Sequence, residues 1–343
     1  MKVRNIIVRL CLSEQSFKKE QPMYPSMIEL FVEPRVTKTW EQFKEQNPPF
    51  SIALDGYVAD RPLFDPQGPH VNFNHHEYVD RLSTRSTTGQ IHLAIKQGLL
   101  QTFNVDGVPA VRAYVNDADY DVCAAWWLLQ NHERISGVKS EPLITKLVAI
   151  TDFQDATGGL YPLDPNTKMM RERAWIFEPY SEARLNGRIT VMDAGEMRNV
   201  IAAVANRIDD YTLGKAREKN VDTRYERVGG GRGWTMVREI GAEARAKMLA
   251  DGINAFVSVR EAGDEKYAYT LARLSPYIPF PLPELLGHIN TIEGYAHGDP
   301  YAWGGSNIIG GSSRRNKTKI TPPELEKIIN HFLDDVINLT TGK

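Results

Sequence analysis

The feature that most constrains this chain is a β-like run, residues 108–115, followed by an acidic turn and a mostly apolar helix, residues 122–129. A short apolar run bounded by turn residues reads as a buried strand, and an apolar helix straight after it can bury itself by packing back on the sheet. Residues 28–36, 50–55 and 70–74 are further short strand candidates, and 88–100 carries helical spacing. Strands alternating with helices predict an α/β fold with a mainly parallel sheet.

Further along, apolar residues at three- and four-residue spacing predict a long helix over 194–217. The Gly-rich, charged segment 225–233 reads as a flexible junction. Beyond it the pattern predicts a helix at 237–249, strands at 255–259 and 267–274, a helix near 283–292, a Gly-rich loop and a last helix from Pro322. A chain of 343 residues exceeds what one core usually holds. The expected division is an N-terminal, mainly parallel-sheet domain at 1–190, a helical linker at 191–235 and a smaller α/β domain at 236–343.

Composition narrows the function. The net charge of −2 disfavours a protein that grips a nucleic-acid backbone non-specifically. Two distant cysteines, Cys11 and Cys123, make neither a disulfide framework nor a cysteine zinc motif. No run reaches the length of a membrane helix, and Arg9, Glu14 and Lys18 break up the short apolar start too early for a signal peptide. The expected location is cytoplasmic, with no membrane contact, and the sequons at Asn316 and Asn338 go unused. Residues 229–233 lack the Gly-Lys-Ser/Thr ending of a phosphate loop.

The acidic turn places Asp117, Asp119 and Asp121 at alternating positions between strand and helix. Crowded carboxylates are costly unless neutralised, and hard divalent cations prefer their oxygens. A calcium EF-hand is excluded, because Val122 and Leu128 stand where that loop needs Gly and Glu. The alternative is a solvated turn with a helix N-cap. A second cluster favours metal: Asn74-His75-His76 follows a strand candidate, downstream of Asp55, Asp60 and Asp65. Imidazole mixed with carboxylate suits manganese or a related ion. A third candidate is Asp152, whereas Asp155 reads as a turn or capping aspartate. Trp126 and Trp127, at helical positions, read as core.

These residues resemble the DHH phosphoesterase superfamily, which includes RecJ-type exonucleases, nanoRNA and cyclic-dinucleotide phosphodiesterases and family II pyrophosphatases. Asp55, followed about twenty residues later by Asn74-His75-His76, is similar to that family's metal aspartate and Asp-His-His signature. Asn116-x-x-Asp119-x-Asp121 resembles its His-x-x-Asp-x-Asp turn, and Asp152 its last metal aspartate. In the C-terminal half, Gly304-Gly305-Ser306 through Gly310-Gly311, with Arg273 upstream, resembles the Gly-Gly-His loop and arginine of the associated domain, which hold the substrate's phosphate end. Arg314 and Arg315 add positive charge beside it. Asn74, Asn116 and Ser306 depart from the pattern, and the Asp-His-His-like segment precedes the Asp-x-Asp turn, the reverse of the family's order.

The resemblance implies a hydrolase, a divalent-metal-dependent phosphoesterase using metal-activated water. Asp55, His75, Asp119, Asp121 and Asp152 would hold one or two Mn2+ or Mg2+ ions. His75, His76 and Asp119 would be catalytic, with His76 orienting the phosphate or acting as an acid. Arg273, Gly304, Gly305, Ser306, Gly310 and Gly311 would bind the substrate, a phosphorylated small molecule, a nucleotide or a short nucleic acid. A degenerate member that binds nucleotide or nucleic acid without cleaving it is the alternative, as is a non-catalytic scaffold, and a homodimer stays open.

Overall fold

The computed structural model describes residues 27–296, 298–313 and 315–341, with side chains to 336. The expectations on Met1–Leu12, Cys11, Glu14, Lys18 and Arg314, and on the Asn338 side chain, lie outside the described residues. The chain is α/β. The first lobe runs β1 (Met27–Val32), α1 (Trp40–Gln46), β2 (Ser51–Leu54), β3 (Leu63–Asp65), β4 (His70–Phe73), α2 (Thr87–Lys96), α3 (Leu99–Thr102), β5 (Asn104–Val105) and β6 (Val108–Val115). It continues with α4 (Tyr120–Gln130), α5 (Pro142–Ala156), α6 (Lys168–Ile176), α7 (Glu178–Leu185) and α8 (Ala194–Thr212).

The sheet order is β1-β6-β2-β4-β3, with β5 on β6. Strands β1, β6, β2 and β4 are parallel, and β3 and β5 are antiparallel to their partners. Side chains alternate across the sheet. Ile52, Leu54, Ala113 and Val115 face the larger core with Val122, Trp127 and Ile150, while Ala53 and Tyr114 face Phe43 and Tyr57 beneath α1. Both Trp126 and Trp127 are buried, and Trp127 Nε1–H donates to Asp209 of α8 at 2.8 Å. Met197, Ile201, Val204 and Ile208 of α8 belong to this same core, so the helix expected to link two domains is part of the first lobe.

The second lobe contains β7 (Tyr225–Gly231), β8 (Trp234–Glu239), α9 (Ala244–Ala250), β9 (Ala255–Glu261), β10 (Tyr267–Arg273), α10 (Leu282–Glu293), β11 (Gly304–Gly305), β12 (Ile309–Gly311) and α11 (Pro322–Thr341). Its sheet order is β11-β12-β10-β9-β8-β7, antiparallel except for β8 on β9. The junction expected at 225–233 is instead a hairpin. Its glycines serve packing: a side-chain carbon at Gly231 would lie 1.8 Å from Asn330 Oδ1 on α11, and one at Gly229 2.1 Å from Glu326 Oε2. The helix expected from 237 begins only at Ala244, because Val237 is a buried strand residue. The lobes meet through Arg173–Glu243 (2.9 Å), Arg184 Nη2–H to Ala242 O (3.3 Å) and Leu160, which enters the second lobe's core beside Val237 and Phe256. Among the described residues no helix is long and apolar enough to cross a membrane.

Candidate metal centre

Three neighbouring parallel strands, β6, β2 and β4, end at one edge of the first sheet, and each delivers a site segment there. Asp55 follows β2, His75 and His76 follow β4, and Asp121 follows β6 on the first turn of α4. Ligand sites of open α/β sheets lie at such carboxyl ends. Strand adjacency, not chain order, brings the segments together. Asp55 and Gly56 turn the chain sharply with φ of 48° and 78°. A left-handed aspartate at a strand end stores strain that the surroundings must hold, a pattern common at functional sites.

His75 Nε2 lies 2.7 Å from Asp155 Oδ2, 3.2 Å from Asp55 Oδ1 and 3.6 Å from Asp121 Oδ2. One ligand atom from each of the four residues lies within 4.8 Å of the other three. Asp55, His75 and Asp121 are buried. Close as they are, the two ring nitrogens of His75 and Asp155 Oδ2 make no aligned hydrogen bond. Two carboxylates about 4 Å apart repel by roughly 4 kcal/mol at an effective dielectric of 20. Against these three carboxylates stand one imidazolium and the Arg81 guanidinium, 3.6 Å from Asp155 Oδ2, which leaves negative charge unneutralised. The donor set of one imidazole and three carboxylates fits a divalent transition ion.

The electrostatics follow this crowding. Burial pushes Asp121 up to about 7, and Asp155 and Asp55 add to the effect against His75. Burial, Asp55, Asp155, Asp117 and Asp121 push Asp119 well up. Burial would raise Asp55 too, but His76 and His75 hold it well below the usual range. Burial opposes the charge on His75, yet Asp155 and Asp55 push it up to about 10.

The N-terminus of α2 closes the site from the side. Thr87 N–H and Thr88 N–H donate to the two oxygens of Asp121 at 2.6 and 2.8 Å, and Thr87 Oγ1–H donates to Asp55 Oδ1 at 3.2 Å. These orphan helix donors orient and partly neutralise the aspartate. Segment 86–89 escaped the sequence reading, although Ser-Thr-Thr-Gly at the start of an amphipathic run is a helix-start signal.

Three sequence expectations change here, those on Asp152, Asp155 and Asp119. Asp152 stays out of the four-residue group: Oδ1 accepts from Ser86 N–H at 2.7 Å and Oδ2 from Arg85 at 2.8 Å. Asp155, expected as a turn or capping residue, is the aspartate of α5 that joins it. A side-chain carbon at Gly89 would lie 2.5 Å from Asp152 Oδ1, so that carboxylate is packed into the start of α2. Asp119 caps α4 through Oδ1, which accepts from Val122 N–H at 2.9 Å, and stands beside the group without joining it. Asn116 donates to Val36 O at 2.8 Å and Gly56 O at 3.1 Å, and so ties two strand-end loops together. Asn74 Oδ1 accepts from the backbone N–H groups of His75 and His76, which shapes the histidine turn.

His76 belongs with Asp55 and His75 to a second set of donors near enough to share an ion. Its hydrogen bonds argue against that role. Arg81 Nη1–H donates to His76 Nδ1 at 2.8 Å, and arginine has no lone pair to offer in return. The single proton of a neutral ring then sits on Nε2, 2.8 Å from Asp55 Oδ1, where it blocks coordination. The same pairing occupies both nitrogens that were expected to orient a phosphate or deliver a proton.

The expected substrate loop is built for packing. Arg273 is buried, with Nε–H on Asn307 O (2.8 Å) and Nη1–H on Ile278 O (3.3 Å). Ser306 Oγ accepts from Ile309 N–H at 3.3 Å and donates to Ile309 O at 3.3 Å, closing a tight turn. Side-chain carbons at Gly305, Gly310 and Gly311 would lie 2.2 Å from Gly310 Cα, 2.7 Å from Leu286 Cδ1 and 2.1 Å from Tyr269 O; Gly304 alone is open. Close strand approach, not anion binding, accounts for three of these four glycines. A side-chain carbon at Gly158, just past α5, would lie 2.9 Å from Ile309 Cδ1, which places the turn against the helix that carries Asp155. Comparison with family models, curated proteins and solved structures gives no match for this chain.

Proposed function

We propose that this protein is a divalent-metal-dependent phosphoesterase whose ion is held by Asp55, His75, Asp121 and Asp155. The observation that carries the reading is the convergence of these four donors at the strand ends, with His75 and Asp155 Oδ2 buried and unmatched by hydrogen bonds. A divalent ion bound there neutralises phosphate charge and makes a water a stronger nucleophile near neutral pH. The chain's own groups do the rest. The α2 N-terminus orients Asp121, and the Asp55-Gly56 turn aims Asp55.

The reading takes one ion rather than two. Asn116 spends its amide on two backbone carbonyls and Asp119 caps α4, so neither joins the group that the resemblance would have them complete. Manganese is favoured over magnesium because one donor is imidazole. The substrate class is a phosphodiester or phosphate ester of nucleotide size, given the near-neutral charge of the chain.

Calorimetric titration with Mn2+, together with hydrolysis of bis(4-nitrophenyl) phosphate and of short oligonucleotides, tests this reading on wild type and Asp121→Asn. One Mn2+ per chain and turnover, both lost in the variant, is the expected result. Mn2+ bound without turnover would move the protein to the binding-only alternative, and no Mn2+ uptake would end the metal reading.

A further inference from the structure

Arg81 is buried and appears in no motif of the sequence, yet its guanidinium reaches both sides of the candidate centre. On one side Nη1–H donates to His76 Nδ1. On the other, Nε–H donates to Ala156 O at 3.3 Å, Nη2–H donates to Asp155 O, and Nη2 lies 3.6 Å from Asp155 Oδ2. We propose that Arg81 is a positioning residue which, through His76, fixes the carboxylate of Asp55 and, directly, that of Asp155.

The inference rests on the metal reading for its purpose and on hydrogen-bond chemistry for its mechanism. Arginine can only donate, so the Arg81–His76 contact fixes the ring as the tautomer with hydrogen on Nε2. That hydrogen points at Asp55 Oδ1, on the carboxylate whose backbone is held in the left-handed region. His76 is therefore a rigid spacer between a guanidinium and a carboxylate. Removing outer partners of metal ligands commonly weakens metal binding by about 10- to 100-fold.

The test uses full-length protein with ring-15N histidine, two-bond 1H–15N correlation and Mn2+ titration, on wild type, Arg81→Met, Arg81→Lys, His76→Ala and His76→Gln. The signal missing from both His76 variants identifies His76 among the eight histidines. In wild type it is the pure Nε2–H tautomer. In Arg81→Met that signature is lost and Mn2+ binds about 10- to 100-fold more weakly. Arg81→Lys recovers part of the affinity, since one ammonium cannot serve the ring and both carbonyls. Glutamine can donate its amide N–H to Asp55 and accept from Arg81, so His76→Gln recovers most of what His76→Ala loses.

A folded Arg81→Met protein with wild-type ring signals and Mn2+ affinity overturns the proposal. His76→Gln as weak as His76→Ala also overturns it, because that outcome makes the ring nitrogen itself a ligand. Should Arg81→Met not fold, Arg81→Lys and the His76 pair decide. If wild type takes up no Mn2+, the metal reading falls separately, and the ring signals alone decide whether Arg81 sets His76.

Discussion

The strand-end cluster of the first lobe and the glycine turn of the second invite comparison, since the sequence pointed to both. In the cluster, three carboxylates and an imidazole crowd together with three atoms left unmatched. In the turn, Arg273 and Ser306 are spent on backbone groups and three glycines are fixed by close approach of neighbouring strands or a helix. Buried polar groups without partners are costly and therefore uncommon. The turn also keeps one buried atom, Asn307 Oδ1, without a hydrogen bond, so what separates the two regions is the crowding of three carboxylates around one imidazole in the cluster.

The sharpest way to break that contrast is to exchange the two aspartates of α5. Asp155→Asn is expected to lower Mn2+ affinity by more than the ~10- to 100-fold that loss of an outer partner of a ligand costs, with little change in melting temperature. Asp152→Asn should leave Mn2+ affinity within about threefold while destabilising the fold by about 1–3 kcal/mol, through the weakened Ser86 and Arg85 hydrogen bonds. Calorimetry and thermal melts on the two proteins decide, and the reverse pattern would restore Asp152 to the centre.

Next in size are the glycines. Gly311→Ala forces a side-chain carbon onto Tyr269 O and should cost roughly 2 kcal/mol or more, with Mn2+ affinity unchanged. Gly304→Ala, which meets nothing, should stay within about 0.5 kcal/mol. Chemical denaturation measures both. Equal effects at the two positions would undo the packing account of the turn.

The smallest effect concerns pH. Glu239 sits where the lobes meet; burial alone would raise its carboxyl, but Arg245 and Arg184 hold it below the usual range. A depressed folded-state value contributes stability above the unfolded value, about 4.3, which is lost as pH falls through the folded one. Glu239→Gln should therefore lose less melting temperature than wild type between pH 6 and pH 3. Parallel acid sensitivity in the two would show that this carboxylate does not link the lobes electrostatically.

Much of the fold was legible because it is periodic. The strands near 50–55, 70–74 and 108–115 and the apolar helix after the acidic turn stand where the pattern put them. The hairpin at 225–239 was not legible: a triple glycine reads as flexibility until α11, nearly a hundred residues later, is seen lying on it. Asp55, His75 and Asp121 could be picked out as strand-end residues. The fourth member could not, because Asp152 and Asp155 lie three apart on one helix, and a small rotation decides which reaches His75. Arg81 left no local trace, since a lone arginine in a loop takes its meaning from carbonyls seventy-five residues away.

Leu160 carries a mechanical consequence. It lies five residues past Asp155 and is seated among Val237, Met248 and Phe256 of the other lobe. Drawing such a side chain out into water costs about 1.5–3 kcal/mol. Were the two halves to swing apart, the least costly pivot would lie in the irregular stretch 213–224, with Leu160 as a peg that stays in its socket. A larger swing would either draw Leu160 from that socket or pull on the end of α5, the helix that carries Asp155, so the inter-lobe seat and the strand-end cluster share one mechanical element.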